Sequence, residues 1–166
     1  MSILSIVIDI SSTISHVYKY FGGVLVPNGM IYFIPLYADN VGEFNPMTKT
    51  FSVIDISSTI SSDDKCVGGV LGPDGKIYCI SYHANSIGVL DPSTKIFSTI
   101  DVSSTGTGGA KYVGGVVAGN GKIYFVPRHA DNIGELDVGN KDPAYEVEDG
   151  VPESWRALLS PHFNKL

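Results

Sequence analysis

The sequence has little of what marks most catalytic and nucleic-acid-binding chains. Among 166 residues there are two cysteines and one tryptophan, and only 17% of residues are charged. Lys and Arg number 11 against 17 Asp and Glu, a net charge of -6, and the basic residues form no cluster. That balance leaves no counter-charge for a phosphate backbone, so nucleic acid is not an expected partner. No Asn-x-Ser/Thr acceptor occurs, and the apolar start MSILSIVIDI has no preceding basic residue, is interrupted by Asp9 and is far too short to span a bilayer. These features lead to the expectation of a soluble cytoplasmic protein without membrane contact. The final Asn164-Lys165-Leu166 is similar to the peroxisomal Ser-Lys-Leu address but departs at its first position.

Recognisable reaction signatures are missing too. No Gly-x-Ser-x-Gly elbow singles out a serine, and Gly106-Thr107-Gly108-Gly109-Ala110-Lys111 lacks the Gly-Lys-Ser/Thr ending of a phosphate loop. What is abundant is glycine, 19 residues, with nine Tyr and seven Phe, the composition of a strand-rich globular chain. The length suits one domain with a sizeable core.

Those residues are arranged in a repeat. GGVLVPNGMIYFI at 22–34 returns as GGVLGPDGKIYCI at 68–80 and as GGVVAGNGKIYFV at 114–126, an offset of 46 residues each time. Asn28-Gly29, Asp74-Gly75 and Asn120-Gly121 sit between two apolar runs, the strongest short hairpin signal. Each copy resolves into four short strands: in the second, a at 66–71, b at 77–81, c at 87–90 and d at 96–102, with Asp91-Pro92-Ser93-Thr94-Lys95 as the c–d turn. Strands a and b are almost continuously apolar, which predicts cover on both faces. The recurring Tyr32, Tyr78 and Tyr124 read as core, and Asp9, Asp55 and Asp101 as side chains that tie each d strand to the following Ser-rich turn. Cys66 and Cys79 replace aromatics of the other copies and read as buried free thiols. A two-residue turn at Asp74-Gly75 sets their sulfurs about 10 Å apart along the ladder, too far for a disulfide.

Four antiparallel strands in about 46 residues is the unit of a β-propeller blade. Over residues 3–141 the pattern resembles short-blade propeller repeats of the kelch, NHL and YVTN type, without the Trp-Asp of WD40 blades or the kelch spacing of Gly-Gly, Tyr and Trp. The resemblance implies an all-β propeller with blades at 20–59, 66–105 and 112–141. Residues 3–13 repeat strand d and form a closing strand, so the propeller part spans 1–142. The tail, 143–166, carries the one helical pattern, Trp155, Leu158 and Leu159 on one stripe behind Pro152. Three blades cannot close a ring, since four to eight are usual. Two chains give six, each N-terminal strand sealing the partner's last blade, so a homodimer is expected. The rival is a fragment of a longer array.

In such a blade the b–c and d–a loops share one face, and here they are the longer and more varied set. The expected ligand-binding residues are Tyr37, Asp39, Asn40, His83, Asn85, Arg128, His129, Asp131 and Asn132. The expectation is a non-catalytic binding or scaffold module for a small molecule, glycan or peptide, needing no cofactor. The alternative, suggested by likeness to propeller lactonases, is a hydrolase in which His83, His129, Asp39 and Asp131 hold a divalent metal that activates water. The competing structural reading is that Ala-Asp-Asn is a loop motif bonded to its own backbone.

Overall fold

A computed structural model of the chain describes residues 7–60, 64–82, 85–105 and 109–139. The tail 143–166 with its helical pattern, residues 3–6 of the closing strand and His83 lie outside these residues. Among the described residues there is no α-helix, and eleven strands form three antiparallel sheets. The first holds β1 (Tyr20–Leu25), β2 (Ile31–Pro35), β3 (Asn40–Asn45) and β4 (Thr50–Asp55) in that order. The second holds β5 (Cys66–Leu71), β6 (Ile77–Ser81), β7 (Ser86–Asp91) and β8 (Ile96–Asp101), and the third β9 (Tyr112–Val117), β10 (Ile123–Pro127) and β11 (Gly134–Leu136). Each strand pairs with its sequence neighbour, an up-and-down meander.

The sheets meet along their first strands. A Cβ built on Gly22 would lie 3.8 Å from the Gly68 Cα, and one on Gly68 would lie 3.8 Å from the Gly114 Cα. β1, β5 and β9 therefore stand side by side at a common axis and the sheets radiate from it. Gly68 has a φ of +99°, a conformation that L side chains rarely adopt. This glycine is a bulge that separates Cys66↔Ser81 from Gly69↔Cys79.

That bulge corrects the expected cysteine geometry. It brings Cys66 opposite Ser81 instead of two residues further on, so Cys66 and Cys79 become diagonal neighbours and their thiols reach hydrogen-bond contact. Both remain free and buried. The Cys66 thiol, followed by burial itself, pushes the Cys79 thiol well above its ordinary value. A thiol reacts as the thiolate. The folded protein is therefore expected to react with DTNB roughly 100-fold or more slowly than the denatured chain, which should titrate two thiols. Rapid modification of the native protein would contradict this packing.

The a–b turns also differ from the two-residue form. Gly29 N–H donates to Val26 O (2.9 Å) and Gly75 N–H to Gly72 O (3.0 Å), with only the glycine at positive φ. Each is a type I turn followed by a left-handed glycine. Pro27 and Pro73 hold φ near -65°, which suits the second position of a type I turn and forbids the primed turn. The d-strand aspartates behave as expected: Asp9, Asp55 and Asp101 each accept the N–H two residues on, at 2.8 Å. These backbone hydrogen bonds hold all three carboxyls below their ordinary value.

The core lies between sheets. Ile34 and Val24 of the first pack with Cys66, Ile77 and Cys79 of the second, and Tyr78, Ile80 and Ile87 of the second pack with Ile123 and Phe125 of the third. The middle sheet has both faces covered, as its continuous apolar strands predicted. Among the described residues the outer two have only one each.

Candidate functional site

The loops following the second strand of each sheet gather at one end of the axis. Leu36, Tyr82 and Arg128 occupy equivalent positions there, 46 residues apart. With Tyr18, Phe21, Tyr37 and Val113 they line an open cleft of about 700 Å³. Tyr18, Phe21 and Val113 are exposed large apolar or aromatic side chains. The Tyr18 and Tyr37 rings stand 6.0 Å apart at 48°. Arg128 Nη1 donates to the Tyr82 hydroxyl at 2.6 Å, and its guanidinium carbon lies 5.2 Å from the centre of that ring. The guanidinium is thereby held at the rim with further N–H groups to offer, since it carries five donors.

The loop is shaped by backbone ties that repeat. Lys19 O accepts the N–H groups of Leu36 (3.0 Å) and Ala38 (3.2 Å), and Lys111 O accepts those of Arg128 (2.8 Å), His129 and Ala130 (both 3.3 Å). Between sheets, Lys65 N–H donates to Leu36 O at 2.8 Å and Ala110 N–H to Tyr82 O.

Of the residues expected to bind ligand, Tyr37 and Arg128 face the cleft. Asn40 and Asn132 are held by their own sheets, accepting from Tyr20 Oη (2.6 Å) and Tyr112 Oη (2.5 Å). Asp39 accepts the Lys65 ammonium at 2.9 Å, which also reaches Tyr37 O at 3.4 Å. Asn85 accepts from Lys111 Nζ at 3.5 Å. His129 and Asp131 are exposed. Among the described residues no three His, Cys, Asp or Glu side chains come together as a metal site. The Asp39 carboxylate is instead bound to a buried lysine.

Sequence reasoning missed Tyr18, Phe21 and Tyr82 as cleft residues, and it missed Lys19, Lys65 and Lys111. The lysines had a visible signal: one residue type at the same 46-residue offset, directly ahead of each first strand. Their role is structural, since Lys65 and Lys111 each join their own sheet to the Asp39 or Asn85 loop of the sheet before.

No family model and no curated protein matches the chain. Solved structures do. A streptogramin B lyase superposes with a TM-score of 0.54 at 21% identity over 76% of this chain and 42% of its own. Hydrazine synthase of Kuenenia stuttgartiensis gives 0.57 at 16% identity, covering 75% and 34%. The extracellular domain of a hybrid two-component system from B. thetaiotaomicron gives 0.55 at 11%, covering 80% and 18%. These are β-propeller-type folds, and the likeness establishes that fold type for this chain, which spans less than half the length of each. No helix among the described residues is long and apolar enough to cross a membrane.

Proposed function

We propose that the chain is a propeller binding module that takes a small ligand, glycan or peptide on its loop face, at the end of the axis. The observation that carries this is the cleft: Tyr18, Phe21, Tyr37 and Tyr82 present rings around about 700 Å³ of open space, and Arg128 stands at its edge. Rings and a fixed guanidinium suit a ligand with one flat apolar face and an acceptor or anionic group. A lyase and the extracellular domain of a hybrid two-component system both occur among the similar folds, and fold alone does not choose a function.

The test is an NMR titration of the labelled protein with neutral oligosaccharides and with aryl carboxylates. Shifts should concentrate on Tyr37, Tyr82 and Arg128. Tyr82→Ala and Arg128→Ala should each weaken binding about tenfold or more, since stacking and charge-assisted contacts of this kind are worth about 1–2 kcal/mol. Shifts confined to the opposite, short-turn face would sink the reading. Ring closure by a second copy belongs to the same proposal, because a half ring leaves the cleft open on two sides.

A further inference from the structure

Comparing equivalent positions shows which surfaces are missing a neighbour. Ile34 and Ile80 are 0% and 2% exposed, yet their third-sheet equivalent Val126 is 45% exposed. Val41 and Ile87 are 0% and 7% exposed, while Ile133 is 68% exposed. The difference is packing. Ile34 nests on Gly69 of the next sheet, 2.7 Å from where a Cβ would stand there, and among the described residues no sheet follows the one that carries Val126. The first sheet shows the converse: Leu25 is exposed where its equivalent Leu71 packs into the core. One open face therefore has the shape that the other receives elsewhere in the molecule.

The charges match as well. Across the junction of the first two sheets, Lys65 bonds Asp39 at 2.9 Å and Lys95 bonds the buried Glu43 at 2.8 Å. The same offset places Lys19 and Lys49 on the open face of the first sheet, and Asp131 and Glu135 on the open side of the third, where Glu135 also accepts the Lys122 ammonium of its own sheet at 2.6 Å. The second sheet has Asn85 and Val89 at the two acidic positions. The two charge pairs of the first junction thus recur as a complementary set only on the two open faces.

We infer that these faces join to each other between two copies of this chain, through a seam in which Lys19 meets Asp131 of the partner subunit and Lys49 meets Glu135 of the partner subunit, with Val126 seated on Gly23. Two copies give six sheets, whereas one gives three and three give nine, both outside the usual four to eight. The seam also receives the N-terminal segment. Residues 7–13 belong to no strand here, yet they already carry the turn that ends a fourth strand, with Asp9 bonded to Ser11 N–H and Thr13 N–H to Ile10 O at 2.9 Å. Thr59 N–H makes the same bond to Ile56 O at 2.9 Å after β4. In β7 and β8, Ile87 pairs with Ile100, so the matching register sets Ile8 opposite Ile133, the residue directly ahead of the edge strand β11.

This seam deepens the ring reading above and rests on it, but its test separates the two. Light scattering of the full chain over a dilution series should give twice the 17.7 kDa of one chain. Lys19→Glu with Lys49→Glu, and separately Asp131→Lys with Glu135→Lys, should each weaken self-association at least 100-fold while circular dichroism keeps its strand signature. An equimolar mixture of the two variants should regain the dimer mass, since one seam is then native and the other charge-reversed. Ile8→Cys with Ile133→Cys should oxidise to a disulfide-linked dimer, because directly opposed antiparallel residues are about 4.5–5.5 Å apart at Cα, within disulfide range. A folded wild-type monomer at every concentration, variants that dimerise like wild type, or a mixture that stays monomeric would each overturn the seam. Dimers that bind none of the titrated ligands would count against the binding role and leave the seam standing.

Discussion

Gly88→Val should lower the melting temperature by roughly 6–12 °C, the largest effect expected from a single substitution in the middle sheet. Gly88 lies in the third strand opposite Cys79 and Thr99. A Cβ there would stand 2.6 Å from Phe97 Cζ and 3.2 Å from Cys79 Cβ. Phe97 is itself buried between sheets, so its ring has no open space to swing into. Adding three carbons to such a site costs about 3 kcal/mol, and for a chain of this length each kcal/mol is about 2–4 °C. Gly75→Asn is the control. Gly75 has a φ of +80° with nothing within 4 Å of its Cβ position, and Asn tolerates that conformation better than other side chains. It should shift the midpoint by less than about 2 °C. Equal shifts in the two variants, followed by differential scanning calorimetry, would show that the ring does not sit over Gly88 as described.

The glycine at this position illustrates what the sequence discloses and what it hides. Gly42, Gly88 and Gly134 recur at the repeat offset, so a shared structural cause could be read from the spacing. The cause itself, a Phe51 or Phe97 ring laid across the strand, needed the fold. The strands of the three sheets, their order and their approximate ends were legible because hydrophobic runs and turn residues repeat together, whereas residues 7–13, read as a closing strand, lie in no strand. The bulge at Gly68 was not, because a Gly-Gly pair in an apolar run has the same periodicity with or without an extra residue. Missing it shifted the assumed register, and with it the distance between the two thiols.

The candidate site was legible as a loop cluster and less so as residues. Chemically suggestive types, Asp39, Asn40 and Asn132, turned out to be engaged by Lys65, Tyr20 and Tyr112. Beside the expected Tyr37 and Arg128, the cleft is lined by Tyr18, Phe21 and Tyr82, which resemble core residues in a one-dimensional pattern. The pairing Tyr20–Asn40 and Tyr112–Asn132, against Cys66 with Ser86 in the middle repeat, is a covariation inside one chain that marks a structural bond. The same internal comparison exposes the unpartnered faces, because three copies of one unit report their environments by how differently equivalent residues are buried.

Glu43→Val should destabilise by about 2–3 kcal/mol at neutral pH, and Asn28→Asp in the same chain should restore about 1 kcal/mol or more of that loss. The buried Glu43 carboxylate accepts from Tyr32 Oη (3.1 Å), Ser52 Oγ (3.0 Å) and Lys95 Nζ (2.8 Å). Lys95 is half exposed and can turn to water, but the Tyr32 hydroxyl belongs to a fully buried ring and would be left without an acceptor, the costly outcome. Burial, followed by the bond to Glu43, raises the Tyr32 hydroxyl to about 12, so it serves as a donor at neutral pH. The second repeat shows how a chain can do without this carboxylate. Val89 stands in place of Glu43 there, and Tyr78 Oη donates to Asp74 Oδ2 at 3.0 Å. Position 28 is the equivalent of Asp74, so the added carboxylate gives Tyr32 the acceptor that Tyr78 already uses. The pH dependence follows from the same contacts. Burial alone would raise the Glu43 carboxyl, but the bonds from Lys95, Ser52 and Tyr32 outweigh it and hold the group below its ordinary 4.5. A group depressed on folding contributes stability above its unfolded value and loses it as pH falls through the folded one. The gap between wild type and Glu43→Val in urea unfolding should therefore be full at pH 7 and shrink below about pH 4.5. A gap that persists undiminished at pH 2, or an Asn28→Asp addition that restores nothing, would mean that the cost lies in packing and not in the orphaned hydroxyl.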